Sequence, residues 1–351
     1  MKSKQLVFAR EYRGLTQKAL AAAINGLSQS NLSKYEKGIE SLSDENVERI
    51  MQYLKFPMNF LNLCINNDVE NKHYRKRASI NAASKKQIDR TISLIAYIFD
   101  WMSDFVELPD YKLGDYDLEQ GIAPREVARQ IRRQCKLGVE PIRNICTILE
   151  ANGVFVYFWD CPYEEFDGVS LITDNGFRLI VVNKNHSNDR LRWTLAHELG
   201  HCLMHENIAL FVSENRDKEK EANEFAAELL LPESETKKAF VGLTIKRLYD
   251  FKTYWLTSMG AIVQRANQLG AITNEKYKLI RIEFSRNRWN KTEPISVYLD
   301  APTVFSKMYT LIVDSLHYSS DTMAESMGIP IDIINEIFSR PKVIQLKYHN
   351  K

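Results

Sequence analysis

TLAHELGHCLMHE, residues Thr194 to Glu206, places His197, Glu198, His201 and His205 within nine positions of a chain that holds seven histidines. An α-helix brings positions four apart onto one face, about 6 Å from each other, so His197 and His201 can direct ring nitrogens at a single zinc ion. In an HExxH arrangement the glutamate, here Glu198, is not a ligand but the base that takes a proton from water. Leu195 and Leu199 occupy the opposite face, and Gly200 reads as leaving the metal side open. His205 stands one turn beyond His201. A ladder of three histidines turns its third ring away from the ion, so His205 reads as packing or a substrate contact.

Catalytic zinc takes three protein ligands and keeps a position for water, so a third ligand is needed. The segment DKEKEANEFAAELLLP, residues 217–232, predicts a helix that starts near Asp217 and stops at Pro232. Its apolar stripe is Ala222, Phe225, Ala226, Leu229 and Leu230. At about 100° per residue, Glu219 falls roughly 50° from the stripe centre and Glu221 roughly 110°. Glu219 is therefore the expected third ligand, and Asn223, one turn later on the same side, the expected partner that orients a ligand.

Upstream, VFVYFW, GVSLIT and FRLIVVNK are rich in β-branched and aromatic residues and predict three strands, with Asp174-Asn175-Gly176 as a tight hairpin between the last two. The expected sheet is small and mostly antiparallel. Gly168, Val169, Ser170 and Leu171 are the candidate edge along which an extended peptide substrate would lie. Before the strands, APREVARQIRRQCKLG and EPIRNICTILEANG read as helices closed by glycine. After residue 301, SKMYTLIVDSLHY and DTMAESMGIPIDIINEIFS read as further helices, with Met323 and Met327 at helical spacing and a packing or dimerisation role.

The first sixty residues show no strand-like alternation. In LTQKALAAAINGLSQSNLSKYEKGIESLS, Thr16 can cap one short helix and Ser28 a second, with Asn25-Gly26 as the turn between them. Leu32 and Tyr35 then face inward. The polar residues left outward, Gln29, Ser30, Asn31, Ser33 and Lys34, together with Gln17 at the start of the first helix, are of the types that read base edges and phosphates in a major groove. Charge agrees with this: residues 1–95 hold 16 Lys and Arg against 9 Asp and Glu, although the whole chain is only +2. Residues 72–90 alone hold seven basic residues against one acidic, a linker or a phosphate-contacting arm, and a long apolar-periodic helix is expected from Lys86 to Val106.

The N-terminal pattern, with VERIMQYLKFPMNFL after it, resembles the helix-turn-helix family of phage-repressor type. From about residue 120 to 310 the chain resembles the ImmA/IrrE family of zinc metallopeptidases, through RWTLAHELGHCLMH, EANEFAAELLLP, YWLTSMGAIVQRANQLGAIT and EPISVYLDAPTVF. That resemblance implies zincin-like chemistry, with His197, His201 and Glu219 on Zn2+ and Glu198 as base. It also implies cleavage of a partner protein, often a repressor, in stress, mobile-element or toxin-antitoxin-like responses.

The five cysteines are scattered without a CxxC pair, which argues against a disulfide framework or a zinc knuckle. No apolar run approaches the roughly 20 residues of a membrane span, and MKSKQLVFAREYRG lacks the apolar core of a signal peptide, so a cytoplasmic location is expected. The expected fold is multidomain: an all-α helix-turn-helix domain over 1–66, a basic linker and connecting helix over 67–110, an α+β zincin-like metallopeptidase domain over 111–243, and a mainly helical region over 244–351. The expected partners are double-stranded DNA and a protein substrate of repressor type, with a homodimer as an option and no membrane. The competing reading is a transcriptional regulator whose metal domain senses zinc or a ligand and cleaves nothing.

Overall fold

A computed structural model describes residues 2–65, 80–206 and 215–338. The segment 72–79 of the basic run and the last thirteen residues lie outside them. Two compact units form. The first gathers the described residues of Met1–Val69, Ser79–Glu107 and Phe305–Lys351, and the second those of Leu108–Val304. The connecting helix and the C-terminal helices thus join the helix-turn-helix residues, and the second unit runs on past residue 243.

In the first unit α1 (Lys2–Tyr12), α2 (Gln17–Ala23), α3 (Gln29–Glu36) and α4 (Asp44–Leu54) precede α5 (Ala82–Ser103). Thr16, Ser28 and Ser43 cap α2, α3 and α4 by accepting from main-chain N–H groups three residues on. Gly26, at φ 80°, makes the turn between α2 and α3, a conformation that glycine adopts without strain. The apolar stripe of α5, from Ile88 to Met102, is fully buried. The buried Glu11 on α1 accepts from Lys86 at 2.7 Å and Arg90 at 3.0 Å on α5. At the far end of the chain, α14 (Val304–Leu316), α15 (Ser320–Met327) and α16 (Ile331–Ile337) complete the unit, with Met323 and Met327 buried and the Tyr97 hydroxyl donating to the Met327 carbonyl at 2.8 Å.

The second unit starts with α6 (Pro124–Gln134) and α7 (Ile145–Ala151), followed by β1 (Val154–Trp159), β2 (Gly168–Ile172) and β3 (Arg178–Asn183). The strand order is β1-β3-β2; β2 pairs antiparallel with β3 through the expected hairpin, whereas β1 pairs parallel with β3. The sheet is therefore mixed rather than mostly antiparallel, because the chain leaves β1 and skips the neighbouring position before it turns back. Then come α8 (Asn188–Met204), α9 (Lys218–Leu230), α10 (Glu233–Ala239), α11 (Ile245–Trp255), α12 (Met259–Gln268) and α13 (Asn274–Arg286). Among the described residues no helix is long and apolar enough to cross a membrane.

α8 is enclosed on nearly every side, between the sheet and α9: from Leu191 to Met204 every residue but Trp193 is buried. Two glycines permit this. A Cβ on Gly168 of β2 would lie 2.7 Å from Thr194 of α8, and one on Gly200 would lie 3.1 Å from the Phe225 ring and 3.3 Å from the Ala222 Cα on α9. Gly200 thus serves close helix packing, not an opening toward the metal. Gly200→Ala is expected to lower stability by about 1–3 kcal/mol, the usual range for overpacking a filled core. Thermal melting checks it, and an unchanged midpoint would show that α9 can retreat at no cost.

Candidate metal centre and nucleic-acid interface

One turn of α8 separates His197 from His201, whose rings meet edge-on with their Nε2 atoms 3.1 Å apart. α9 brings Glu219 to the same point. Asp217 starts that helix by accepting from the Lys220 N–H at 3.0 Å, and Pro232 follows its end. One Glu219 carboxylate oxygen lies 3.3 Å from His201 Nε2 and the other 3.5 Å from His197 Nε2. The donor set is two imidazole nitrogens from buried histidines and a half-buried carboxylate. Ligands arranged tetrahedrally about 2.0 to 2.1 Å from a zinc ion stand roughly 3.3 Å from one another. The three measured separations match that spacing, so these residues fit a tetrahedral divalent ion. Burial pushes the Glu219 carboxyl up, but the two imidazoles against it outweigh burial and hold it well below the usual carboxylate range.

Asn223 sits where the sequence placed it, on the Glu219 side of α9, donating to the Glu219 carbonyl at 2.7 Å and standing 3.4 Å from the Trp193 indole nitrogen. It therefore steadies the ligand's main chain and not its carboxylate. Glu198, fully enclosed, accepts from the Ser170 hydroxyl at 3.0 Å. Burial raises its carboxyl to about 7, with His197 and the hydroxyl and main-chain bonds from Ser170 opposing and Glu219 reinforcing. That is a suitable range for a general base at neutral pH.

Several participants escaped the sequence reading. The Ser170 hydroxyl is also bonded to Glu206, whose carboxyl burial likewise raises to about 7, against the Ser170 bond and with the nearby Glu198 charge. A hydroxyl has one proton to give, so the second carboxyl bonds to Ser170 only by donating a proton of its own. Glu198, Cys202 and Glu206 recur every four residues, a spacing that could have signalled a shared polar side. His205 is not simply packed: its Nδ1 is 2.9 Å from His201 Nδ1 and its Nε2 is 2.9 Å from Glu221.

The four residues proposed as a substrate edge, Gly168, Val169, Ser170 and Leu171, lie on β2, one of the two outer strands of the sheet, and no other described strand pairs with its far side. All four are buried, and at Ser170 the edge is turned against Glu198.

In the first unit, Gln29, Ser30, Asn31 and Lys34 are exposed along α3 and Ser33 is half-buried. Lys34 reaches Glu40 at 2.7 Å in a solvent-exposed pair. Gln17 is drawn inward: its amide donates to Glu36 at 2.6 Å, and the same carboxylate takes two bonds from Arg10, at 2.6 and 2.8 Å.

Residues 8–61 match a family described as Helix-turn-helix, and residues 150–267 match a peptidase family, M78, described as the IrrE N-terminal-like domain. Comparison with curated proteins finds none that matches. The chain thus joins a helix-turn-helix domain, of the kind that binds DNA in gene regulation, to a metallopeptidase-like domain.

Ser170→Ala leaves two buried carboxyls without their common hydroxyl. It is expected to cost about 1–3 kcal/mol, the penalty for an unsatisfied buried polar group. Chemical denaturation measures it, and a loss below the error of the fit would mean that solvent reaches the two carboxyls.

Proposed function

We propose that this chain is a DNA-binding regulator whose second unit is a zinc-dependent endopeptidase acting on a partner protein, a repressor being the substrate class that suits a peptidase joined to a helix-turn-helix. The observation that carries the reading is the convergence of His197, His201 and Glu219 at tetrahedral spacing beside an enclosed Glu198. Zinc fits the two-imidazole, one-carboxylate donor set, and when bound it supplies Lewis acidity toward a peptide carbonyl and makes water acidic near neutral pH.

This chain's residues do the rest. Glu198 removes the proton from the attacking water and passes it to the departing amine, a role that its raised pKa suits. Ser170 holds that carboxyl in place. The substrate lies on the β2 side of the site, since of the two outer strands β2 is the one that touches the base, through Ser170. In the first unit α3 enters the major groove with Gln29, Ser30 and Asn31 toward base edges and Lys34 toward phosphate, all four being exposed.

Elemental analysis of the purified chain tests the metal reading, with about one zinc per chain expected in the wild type and in Glu198→Gln, and none retained in Glu219→Ala. Glu198→Gln should cleave a peptide library at least about 100-fold more slowly than wild type, read by mass spectrometry. If Glu198→Gln still regulates as wild type does, proteolysis is not the output and the sensing alternative replaces it. Duplex binding by the first unit should weaken steeply as salt rises; binding indifferent to salt, or none, would assign α3 to protein docking instead.

A further inference from the structure

We propose that His205, Glu221 and Arg216 form a chain of hydrogen bonds that fixes the ring of His201, so that His205 and Glu221 are positioning residues for the metal centre. The proposal rests on the metal reading above.

The geometry runs outward from the ion's position. His201 directs Nε2 at Glu219 and His197, while its Nδ1 lies 2.9 Å from Nδ1 of His205. On the far side of the second ring, His205 Nε2 is 2.9 Å from Glu221 Oε2. Glu221 Oε1 accepts from Arg216 Nε at 2.8 Å, with Arg216 Nη2 at 2.7 Å. The His205 side chain is wholly enclosed, whereas Glu221 is at the margin.

Both ends of this chain dictate the direction of every proton in it. A metal ligand nitrogen must be unprotonated, so His201 carries its proton on Nδ1 and donates it to His205. His205 then accepts on Nδ1 and holds its own proton on Nε2. At the other end an ionised carboxylate can only accept, and Glu221 accepts from the His205 Nε2–H on one oxygen and from the Arg216 guanidinium on the other. The metal and the carboxylate therefore favour the same tautomers. A carboxylate usually reaches a ligand histidine directly. Here a second imidazole is interposed: His205, the cap residue four positions after His201, sets its ring 5.0 Å from the His201 ring, centroid to centroid, at a tilt of 55°.

The other histidine ligand has no such support. His197 Nδ1 is buried without a hydrogen-bond partner among the described residues. Orientation of the imidazole pair by outer hydrogen bonds thus falls on His201.

His205→Phe keeps a ring in the space but removes both nitrogens. Zinc affinity, measured by chelator competition on the full chain, should fall about 10- to 100-fold, with an altered visible spectrum of the cobalt-substituted protein. His205→Asn returns an acceptor oxygen near the place of Nδ1 and should recover most of that loss. Glu221→Ala, at the margin of the fold, should weaken zinc about 10-fold without abolishing it. Affinity and cobalt spectrum unchanged in His205→Phe would overturn the proposal, and so would equal losses in His205→Phe and His205→Asn, since ring packing alone would then explain them. If His205→Phe does not fold, Glu221→Ala decides: undiminished affinity overturns the relay. A wild-type chain that binds no zinc removes the metal reading and the relay together, whereas zinc bound equally by wild type and variants removes only the relay.

Discussion

The structure of the second unit depends on burying a helix that is not apolar. α8 carries Asp189, Arg192, His197, Glu198 and His201 through an interior position, and a polar group taken from water costs free energy unless it finds a partner. Each therefore dictates something nearby. Arg192 donates to the carbonyls of Ile142 and Arg143, which fixes the approach to α7. Asp189 takes Lys252, itself fully buried on α11, at 3.0 Å. Glu198 requires Ser170, and the two histidines require either each other and a carboxylate or an ion between them. Close approach on both flanks, through Gly168 and Gly200, keeps water from meeting these demands instead.

The helices around α8 are fastened by the same means. Glu228, buried on α9, is bonded by Arg129 from α6 at 2.8 Å and by Arg265 from α12, so removing Glu228 would leave the buried Arg265 guanidinium without its carboxylate. Glu293 does double duty, accepting from Lys252 at 2.6 Å and from the first two N–H groups of α12 at 2.8 and 3.1 Å. Asp300 likewise takes the Cys146 and Thr147 N–H groups at the start of α7. These two acids lie on the extended segment after α13, which explains how EPISVYLDAPTVF, without helix or strand of its own before Val304, belongs to the unit. It completes helix ends that would otherwise present unpaired N–H groups.

What the sequence reveals is local periodicity, and the features it hides are those made by distant parts of the chain. His197 and His201 share a face because four residues make about one helical turn, and Glu219 follows from the angle at which it stands to an apolar stripe. Asp174-Asn175-Gly176 forms its hairpin because the turn is complete within the residues themselves, with Gly176 at φ 86°. By contrast, the parallel pairing of β1 depends on where the eight-residue connection from Trp159 to Gly168 crosses, and nothing within β1 records it. Gly200 looks like space for a metal until Phe225 and Ala222, more than twenty residues on, are placed against it. The link from His205 to Glu221 fails to show for the same reason, since it joins two helices across a gap in sequence. Nor does any local pattern announce that α15 meets α5, where the Tyr97 hydroxyl donates to the Met327 carbonyl.

The first unit applies a related rule to a different end. The Glu36 carboxylate at the end of α3, nearly enclosed, gathers Arg10 from α1 and Gln17 from α2, so one acid ties three helices at the point where they meet. The Arg10 guanidinium also donates to the Leu15 carbonyl at 2.8 Å, which fixes the chain just before Thr16 caps α2. Gln17 is thus consumed as a brace, although its residue type and place suggest a contact with DNA. The exposed polar surface shifts to Gln29, Ser30 and Asn31 at the beginning of α3, next to the N–H groups that Ser28 only partly satisfies. Main-chain donors and amide side chains then face outward together from a helix whose angle is held by buried charge, and such a surface suits a phosphate backbone with base edges beside it.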